Sequence, residues 1–268
     1  MKWLKITLVV LFAAVFTAVG IDASDTLRGS NDTFFARVIG IEGGGVCEAG
    51  MVEVKAGLSF TCVDTYEASP NDACPQKNIQ SEVHTQENAN ESGCAPASVK
   101  DALPWRYVSL SQAQQLCARV EKRLPTNEEW YTIAQGLSNV ELCALSEKSG
   151  GPKETGVSQC VTSSGAHDVV GNVWEWVQGE VVDGAIGTLK LPESGFISLV
   201  NSEGIVLETA PQGKGEYGND YAWTDTVGVK GIIRGGFYGS GEDGGIYTQN
   251  MSVPLDFRTA GLGFRCIN

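Results

Sequence analysis

The chain has 268 residues, of which 42% are hydrophobic, and it carries a formal net charge of −13 with a sequence pI near 4.6. Such an acidic surplus repels phosphate backbones and anionic lipid surfaces, so the composition excludes nucleic acid as an expected partner. The length suffices for one large domain with a well-buried core.

The first residues have the pattern of an export signal. Lys2 and Lys5 precede an apolar run that ends in small residues, which together predict a signal peptide or anchor over residues 1–20. This run is short for a spanning helix, which needs about 20 apolar residues. Membrane contact is therefore expected only if the segment stays uncleaved as an N-terminal anchor. Residues 21–46 are polar and irregular and predict a linker. Residues 47–268 would then form one exported domain, secreted or on the cell surface.

The domain is predicted to begin with strands. Met51–Val54 alternates between apolar and polar residues, and Phe60–Asp64 continues as a second strand. The stretch from Ser69 to Ser98 is rich in Asn, Pro, Ser and acids, and it predicts an exposed insertion.

Two helices are predicted next. Ser109 can cap the first helix, and the residues from Thr126 to Glu129 form a capping box at the start of the second, which Gly136 ends. The apolar residues that recur at helical spacing in the first helix are Leu110, Ala113, Leu116, Cys117 and Val120.

Short glycine-punctuated segments follow the second helix. Ile186–Leu191, Phe196–Val200 and Ile205–Leu207 predict strands of an antiparallel, turn-rich sheet. The long stretch from Glu180 to Val229 is expected to frame the rim of a binding face.

Four motifs carry a resemblance to a known family. Arg123–Trp130 reads Arg-Leu-Pro-Thr-Asn-Glu-Glu-Trp, Gly171–Trp176 reads Gly-Asn-Val-Trp-Glu-Trp, Arg234–Gly236 reads Arg-Gly-Gly, and Gly263–Cys266 reads Gly-Phe-Arg-Cys. Together they resemble the formylglycine-generating, or sulfatase-modifying factor, family. The resemblance implies an α+β fold of the C-type lectin-like type, with two helices, short antiparallel strands and much irregular loop.

The residues that make that family oxidases are missing here. Its enzymes place a pair of copper-binding cysteines after the Gly-Gly, where this chain has no cysteine from Phe237 to Gly245. Its iron-dependent relatives need a histidine cluster, and this chain has two histidines in all, His84 and His167, which we interpret as surface or core residues. Neither copper nor iron is therefore expected.

The C-terminal segment also resembles the variable region of binding proteins that are diversified by retroelements. Arg-Gly-Gly, a central Gly-Gly-Ile-Tyr, Pro254 and a final Gly-Phe-Arg frame a mixture of aromatic, small polar and charged residues typical of a paratope. The alternative is the last strand pair and loop of a lectin-like domain. The candidate ligand-binding residues are Phe237, Tyr238, Ser240, Glu242, Asp243, Asn250, Ser252, Asp256, Phe257, Arg258 and Thr259.

A calcium site is the strongest candidate for a metal. Asp168 and Glu175 can supply carboxylate oxygens, while Gly171 and Val173 supply carbonyls, which is the oxygen shell that calcium prefers. The resemblance implies calcium at these matching positions. The alternative is that Asp168 caps a turn and Glu175 pairs with a basic residue in the core. Arg234 and Arg265 are expected to be structural, bonding backbone carbonyls under the sheet.

Eight cysteines behind an export signal predict disulfides. Spacing alone leaves about 105 pairings open. The family resemblance implies a bond between Cys117 and Cys266. The remaining predicted pairs are Cys143 with Cys160, Cys74 with Cys94, and Cys47 with Cys62.

These features together predict an exported, non-catalytic protein that binds an extracellular protein or glycan through its C-terminal face. The first alternative is an oxidoreductase of the formylglycine-generating or nonheme-iron type. A structural component of the cell envelope is the second.

Overall fold

A computed structural model describes residues 46–54, 60–146 and 150–268. Within these ranges, Ala49–Asn268 forms one compact unit. The predicted export segment and almost all of the predicted linker lie outside the described residues. None of the helices described is long and apolar enough to cross a membrane.

Three α-helices occur in the described residues: α1 (Glu82–Asn90), α2 (Leu110–Ala118) and α3 (Asn127–Ala134). The two predicted helices correspond to α2 and α3. Each begins with a capping box, in which the hydroxyl of Ser109 or Thr126 accepts a backbone N–H from the third helical residue. Both predicted caps are confirmed.

Helix α1 was not predicted, because it lies in the stretch from Ser69 to Ser98 that reads as an exposed insertion. It carries no apolar stripe and docks through buried polar side chains instead. The hydroxyl of Thr85 accepts a hydrogen bond from Trp105 Nε1 at 3.1 Å, and the Asn88 amide bonds both backbone groups of Gln76, at 2.9 and 2.8 Å. Hydrophobic periodicity cannot reveal such a helix.

The largest sheet among the described residues has nine strands: β5 (Trp174–Val182), β6 (Ala185–Ile186), β7 (Leu189–Lys190), β8 (Gly195–Val200), β9 (Val206–Ala210), β10 (Tyr221–Thr224), β11 (Val229–Arg234), β12 (Gln249–Val253) and β13 (Leu262–Gly263). Their order in the sheet is β7-β6-β5-β11-β12-β10-β8-β9, and β13 also pairs with β5.

The predicted strand segments form antiparallel ladders, β6 with β7 and β8 with β9, but two ladders elsewhere in the sheet are parallel, β10 with β12 and β13 with β5. Strand β12 inserts between β10 and β11 and runs antiparallel to β11. On its other side it runs parallel to β10. The predicted strand Ile186–Leu191 is a hairpin of β6 and β7.

Two small sheets lie outside the large one. The first pairs β1 (Met51–Glu53) with β2 (Cys62–Asp64), in antiparallel register. The second pairs β3 (Ser69–Pro70) with β4 (Pro96–Ala97). The first sheet agrees with the strands predicted at the start of the domain.

The large sheet has a hydrophobic core on each face. Ile232 and Ile233 are neighbours on β11 and enter different cores, because successive side chains of a strand point to opposite faces. One core packs Ile232 with Trp130 of α3. The other packs Ile233 with Trp176 and with Leu116 of α2. The two predicted helices therefore cover opposite faces of the sheet.

The structure contains the disulfides Cys117–Cys266, Cys143–Cys160 and Cys74–Cys94, and these three predictions are confirmed. Cys47 and Cys62 are also disulfide-bonded, so none of the eight cysteines is a free thiol. Disulfides in this number are typical of an oxidising, extracellular environment.

Candidate functional site

Glu175 lies on β5 with a fully buried side chain whose carboxylate oxygens both have partners. Arg265 Nε donates to Oε1 at 2.8 Å, and Trp130 Nε1 donates to Oε2 at 2.7 Å. Burial raises the pKa of Glu175, and the Arg265 guanidinium opposes that rise. Glu175 thus pairs with a basic residue in the core, which is the alternative that the sequence offered.

Asp168 is buried and has a φ of 53°. One carboxylate oxygen accepts the backbone N–H of Gly156 at 2.7 Å, and the other accepts the hydroxyl of Ser158. Asp168 therefore fastens the preceding loop, again as in the alternative interpretation.

The two remaining members of the predicted calcium set, whose carbonyls were assigned to the ion, form hydrogen bonds through their N–H groups. The N–H of Gly171 donates to the carbonyl of Gly235 at 3.1 Å, and the N–H of Val173 donates to Glu67 at 3.1 Å. No group of three or more His, Cys, Asp or Glu side chains in the described ranges is arranged to hold a metal ion.

These residues do not fit a calcium ion as they stand. The guanidinium of Arg265 already supplies the positive charge that balances Glu175, and Asp168 accepts protein donors. Calcium at Asp168, Gly171, Val173 and Glu175 remains a prediction of the resemblance, and it requires both carboxylates to exchange their partners.

Glu67 is a buried carboxyl that the sequence did not single out. It accepts hydrogen bonds from Asn172 Nδ2 at 2.5 Å and from the N–H of Val173 at 3.1 Å. Burial raises its pKa well above the usual range, and the nearby carboxylates of Asp168 and Glu175 add to the rise. Glu67 positions the Gly-Asn-Val-Trp-Glu-Trp segment. Nothing in its local sequence signals that role.

The Gly-Asn-Val-Trp-Glu-Trp and Arg-Gly-Gly motifs meet at their glycines. Gly171 has a φ of 81° and Gly235 a φ of 88°, a region that favours glycine. A Cβ at Gly171 would strike the carbonyl of Ala144, and one at Gly235 would strike the carbonyl of Val169. Each position therefore requires glycine, because of its positive φ and because a neighbouring backbone carbonyl lies where a Cβ would be.

Arg234 and Arg265 are both fully buried. Arg234 Nη1 donates to Asn127 Oδ1 and to the carbonyl of Gly204, each at 3.0 Å, and its guanidinium lies 4.9 Å from the centre of the Trp130 ring. Burial lowers the pKa of Arg234 to about 9. Arg265 donates to the carbonyl of Asp64 at 3.0 Å. Their expected structural role is confirmed.

The candidate ligand-binding residues fall in three places. The first is the turn after β11. Phe237 packs its half-buried ring against the core that α2 covers, and Tyr238 lies at 5.0 Å from it in a T-shaped contact. Ser240 accepts the N–H of Phe237 at 2.9 Å. Phe237 is therefore a packing residue as well as a surface residue.

Glu242 lines a pocket of about 600 Å³ together with Leu145 and Tyr247. Asp243 belongs to the same short turn, and its carbonyl accepts the hydroxyl of Thr248 at 2.6 Å. The wall of this pocket includes Asp220, which the sequence did not reveal. One Asp220 oxygen accepts the N–H of Tyr247 at 2.7 Å. Burial raises the pKa of Asp220 to about 7.

The second place is the outer side of β12. Gln249, Met251 and Val253 are buried, whereas Asn250 and Ser252 are half-exposed. Ser252 Oγ donates to Asn250 Oδ1 at 2.7 Å. The alternation keeps the strand fixed in the sheet while the two polar side chains face outward.

The third place is the loop that follows β12. Asp256 and Phe257 are exposed. Arg258 Nε donates to Gln112 Oε1 at 3.1 Å, which holds the loop against α2. The carbonyl of Thr259 accepts the N–H of Tyr107 at 3.0 Å.

A row of aromatic side chains outside the C-terminal segment escaped the sequence analysis. Phe196 on β8 and Tyr221 and Trp223 on β10 are half-buried and lie side by side. In the ladder, Trp223 pairs with Asn250 of β12. Alternation in Tyr-Ala-Trp was the available signal, but pairing across strands distant in sequence needs the fold.

No protein-family model and no curated protein matches the sequence. Similar solved structures include Major Tropism Determinant U1 Variant, at 14% identity and a TM-score of 0.45, covering 84% of this chain and 53% of that chain. This chain thus spans about half the length of that protein. Treponema denticola variable protein 1 has 14% identity, a TM-score of 0.45 and coverage of 82% and 91%. CarF has 13% identity, a TM-score of 0.42 and coverage of 82% and 94%.

Proposed function

We propose that the chain is an exported, non-catalytic binding protein with a C-type lectin-like domain. Its ligand is an extracellular protein or glycan, held by the outward side chains between Arg234 and Arg265. One observation carries the proposal: both arginines are fully buried, while Asn250, Ser252 and Phe257 between them are wholly or partly exposed. A fixed support under an accessible surface is the arrangement that a binding face needs.

Two further features support binding rather than oxidation. All eight cysteines are disulfide-bonded, which leaves no thiolate pair for a copper ion. Phe257 is the one aromatic side chain among the exposed large hydrophobic residues that the structure describes, with 36% of its surface exposed. Exposed rings of this kind anchor ligands in binding proteins.

We further propose that retroelement diversification changes the identity of the outward residues between Arg234 and Arg265. Its test is the DNA beside the gene, which should hold a near-copy of the coding region for Arg234–Arg265 next to a reverse transcriptase. If several complete genomes carry the gene with neither element, the diversification proposal is wrong, and the binding proposal stands by itself.

The binding proposal is tested with arrays of purified cell-surface proteins and of glycans. Each partner that binds the wild type is measured again with Phe257→Ala and with Val227→Ala, a control for an exposed apolar residue on another loop. We expect Phe257→Ala to weaken binding by roughly tenfold or more, the loss of an interface anchor, and Val227→Ala to change nothing. Equal binding by all three proteins would place the binding face elsewhere.

The catalytic alternative has its own assay. A cysteine-containing sulfatase peptide is incubated with the protein in air with added copper, and its mass is followed. We expect no aldehyde product. Aldehyde formation that rises with protein concentration would replace the binding proposal by an enzyme.

A further inference from the structure

Four aromatic rings form a continuous row across the sheet, on the face that α2 partly covers. The ring centres of Phe196 and Tyr221 are 5.2 Å apart, those of Tyr221 and Trp223 are 4.7 Å apart, and those of Trp223 and Trp174 are 5.9 Å apart. Trp174 is buried in the core beneath α2, whereas the other three rings are only half-buried. The row therefore runs from the core to an open end at Phe196 and Tyr221.

A groove of about 440 Å³ lies at the open end of this row. The rings of Phe196 and Tyr221, together with Pro211, give it apolar walls, and Glu193 stands at its margin. The groove belongs to β8, β9, β10 and their connections, and so it lies outside the segment from Arg234 to Arg265.

The backbone around Glu193 is fixed from two strands. Its carbonyl accepts the hydroxyl of Thr209 on β9 at 2.9 Å. The neighbouring carbonyl of Pro192 accepts the hydroxyl of Thr224 on β10 at 2.7 Å, and Ser194 Oγ accepts the N–H of Thr224 at 2.9 Å. The Glu193 carboxylate itself is exposed, and it forms no ion pair with the residues described.

We infer that this groove binds a lysine or arginine side chain of a protein partner. The apolar stem of such a side chain fits along aromatic rings, while its charged head reaches the carboxylate and a ring face. An unpaired carboxylate on a fixed backbone, beside aromatic rings, supplies both halves of that recognition. The net charge of −13 also favours a basic partner surface.

The inference rests on the proposed function, because it assigns a chemistry to the partner of the same binding protein. Trp223 connects the two regions, since it belongs to the aromatic row and pairs with Asn250 of the C-terminal segment. A protein bound over the C-terminal face would have its basic side chain within reach of the groove.

The test uses a short capped peptide, Gly-Gly-Lys-Gly-Gly, and the same peptide with norleucine in place of lysine. Each is titrated into the full-length protein while the amide NMR signals of Gly195, Thr209 and Ala210 are followed. We expect the lysine peptide to shift these signals and the norleucine peptide to bind at least about threefold more weakly, the effect of a partly exposed ion pair.

Two matched variants test whether Glu193 supplies the negative charge that binds the lysine. Glu193→Gln should weaken the lysine peptide by about threefold, whereas Glu208→Gln removes an equal charge from an exposed position on β9 outside the groove and should leave binding unchanged. Equal binding of both peptides, equal loss in both variants, or no shifts at the three amides would each overturn the inference. Partner binding that is unchanged in Phe257→Ala, with lysine binding at the groove intact, would overturn the proposed C-terminal binding face and leave the assignment of the groove standing.

Discussion

Arg265 and Phe257 belong to the same C-terminal segment but lie in opposite environments. Arg265 is fully buried and bonds a carboxylate and two backbone carbonyls, whereas Phe257 is exposed on a loop. The motif residues thus fix the segment in the fold, whereas some side chains between them, such as Asn250 and Phe257, remain accessible. Stability and recognition can therefore be changed separately by mutation.

The largest expected effect comes from the covalent bond that holds this segment. Replacing both Cys117 and Cys266 by alanine opens a loop with a sequence separation of 149. On the chain-entropy model the free energy of unfolding should fall by about 5 kcal/mol, measured by urea unfolding without reductant. The matched control replaces Cys74 and Cys94, whose separation is 20, and should lose about 3 kcal/mol. A smaller loss for the longer loop would contradict the model.

Arg265→Ala tests how much the buried arginine of the C-terminal segment stabilises the fold. It leaves Glu175 buried without its cation, so the free energy of unfolding should fall by about 3–5 kcal/mol. Arg258→Ala, at a partly exposed arginine of the same segment, should lose less than about 1 kcal/mol. Similar losses in the two variants would show that the segment is not divided into a buried support and an accessible surface.

The Asp220 carboxyl gives a pH-dependent effect of intermediate size. Because burial raises its pKa from 3.8 to about 7, the folded protein holds this proton between those pH values and the unfolded chain does not. Its contribution to stability is present below pH 4 and is lost as pH rises through about 7. In Asp220→Asn, the fall in unfolding free energy between pH 4 and 8 should be about 2–4 kcal/mol smaller than in the wild type.

Other buried acids, including Glu67 and Glu175, contribute to the pH dependence of both proteins. The difference between the unfolding free energies of the wild type and Asp220→Asn isolates the contribution of the Asp220 carboxyl. Parallel stability curves across this pH range would show that Asp220 titrates normally in the folded protein.

The smallest effect is expected from calcium. Calcium binding at Asp168 and Glu175, as the resemblance implies, requires both carboxylates to give up their present partners, so a chelator should lower the melting temperature only slightly. That shift should be absent in Asp168→Ala, because the binding linkage depends on this carboxylate. A melting curve of the wild type that is indifferent to both calcium and chelator would return the two residues to a purely structural role.

The sequence predicts those parts of the fold whose signals are local. Helices α2 and α3 follow from the caps at Ser109 and Thr126 and from apolar spacing, both of which act within one turn. Helix α1 docks through Thr85 and Asn88, whose partners come from other loops. The parallel position of β12 depends on strand insertion, which no local pattern encodes.

The residues of the candidate site also divide into those that local sequence predicts and those that it does not. The structural role of Arg234 and the exposure of Phe257 agree with prediction, because the motifs and the polar surroundings indicate them. The carboxyls of Glu67 and Asp220, and the row that includes Tyr221, depend on residues brought together from distant parts of the chain. Sequence identifies candidate side chains, but burial and neighbours decide which of them remain free to bind.

The insertion of β12 between β10 and β11 has a consequence for biosynthesis. During translation β10 and β11 emerge before the strand that joins them, so both present unpaired edges until β12 has been made. The disulfide to Cys266 must wait for residues later still in the sequence. Folding of the large sheet is therefore completed only once β12 has emerged, and a chain that is cut before β12 is expected to aggregate rather than form a smaller domain.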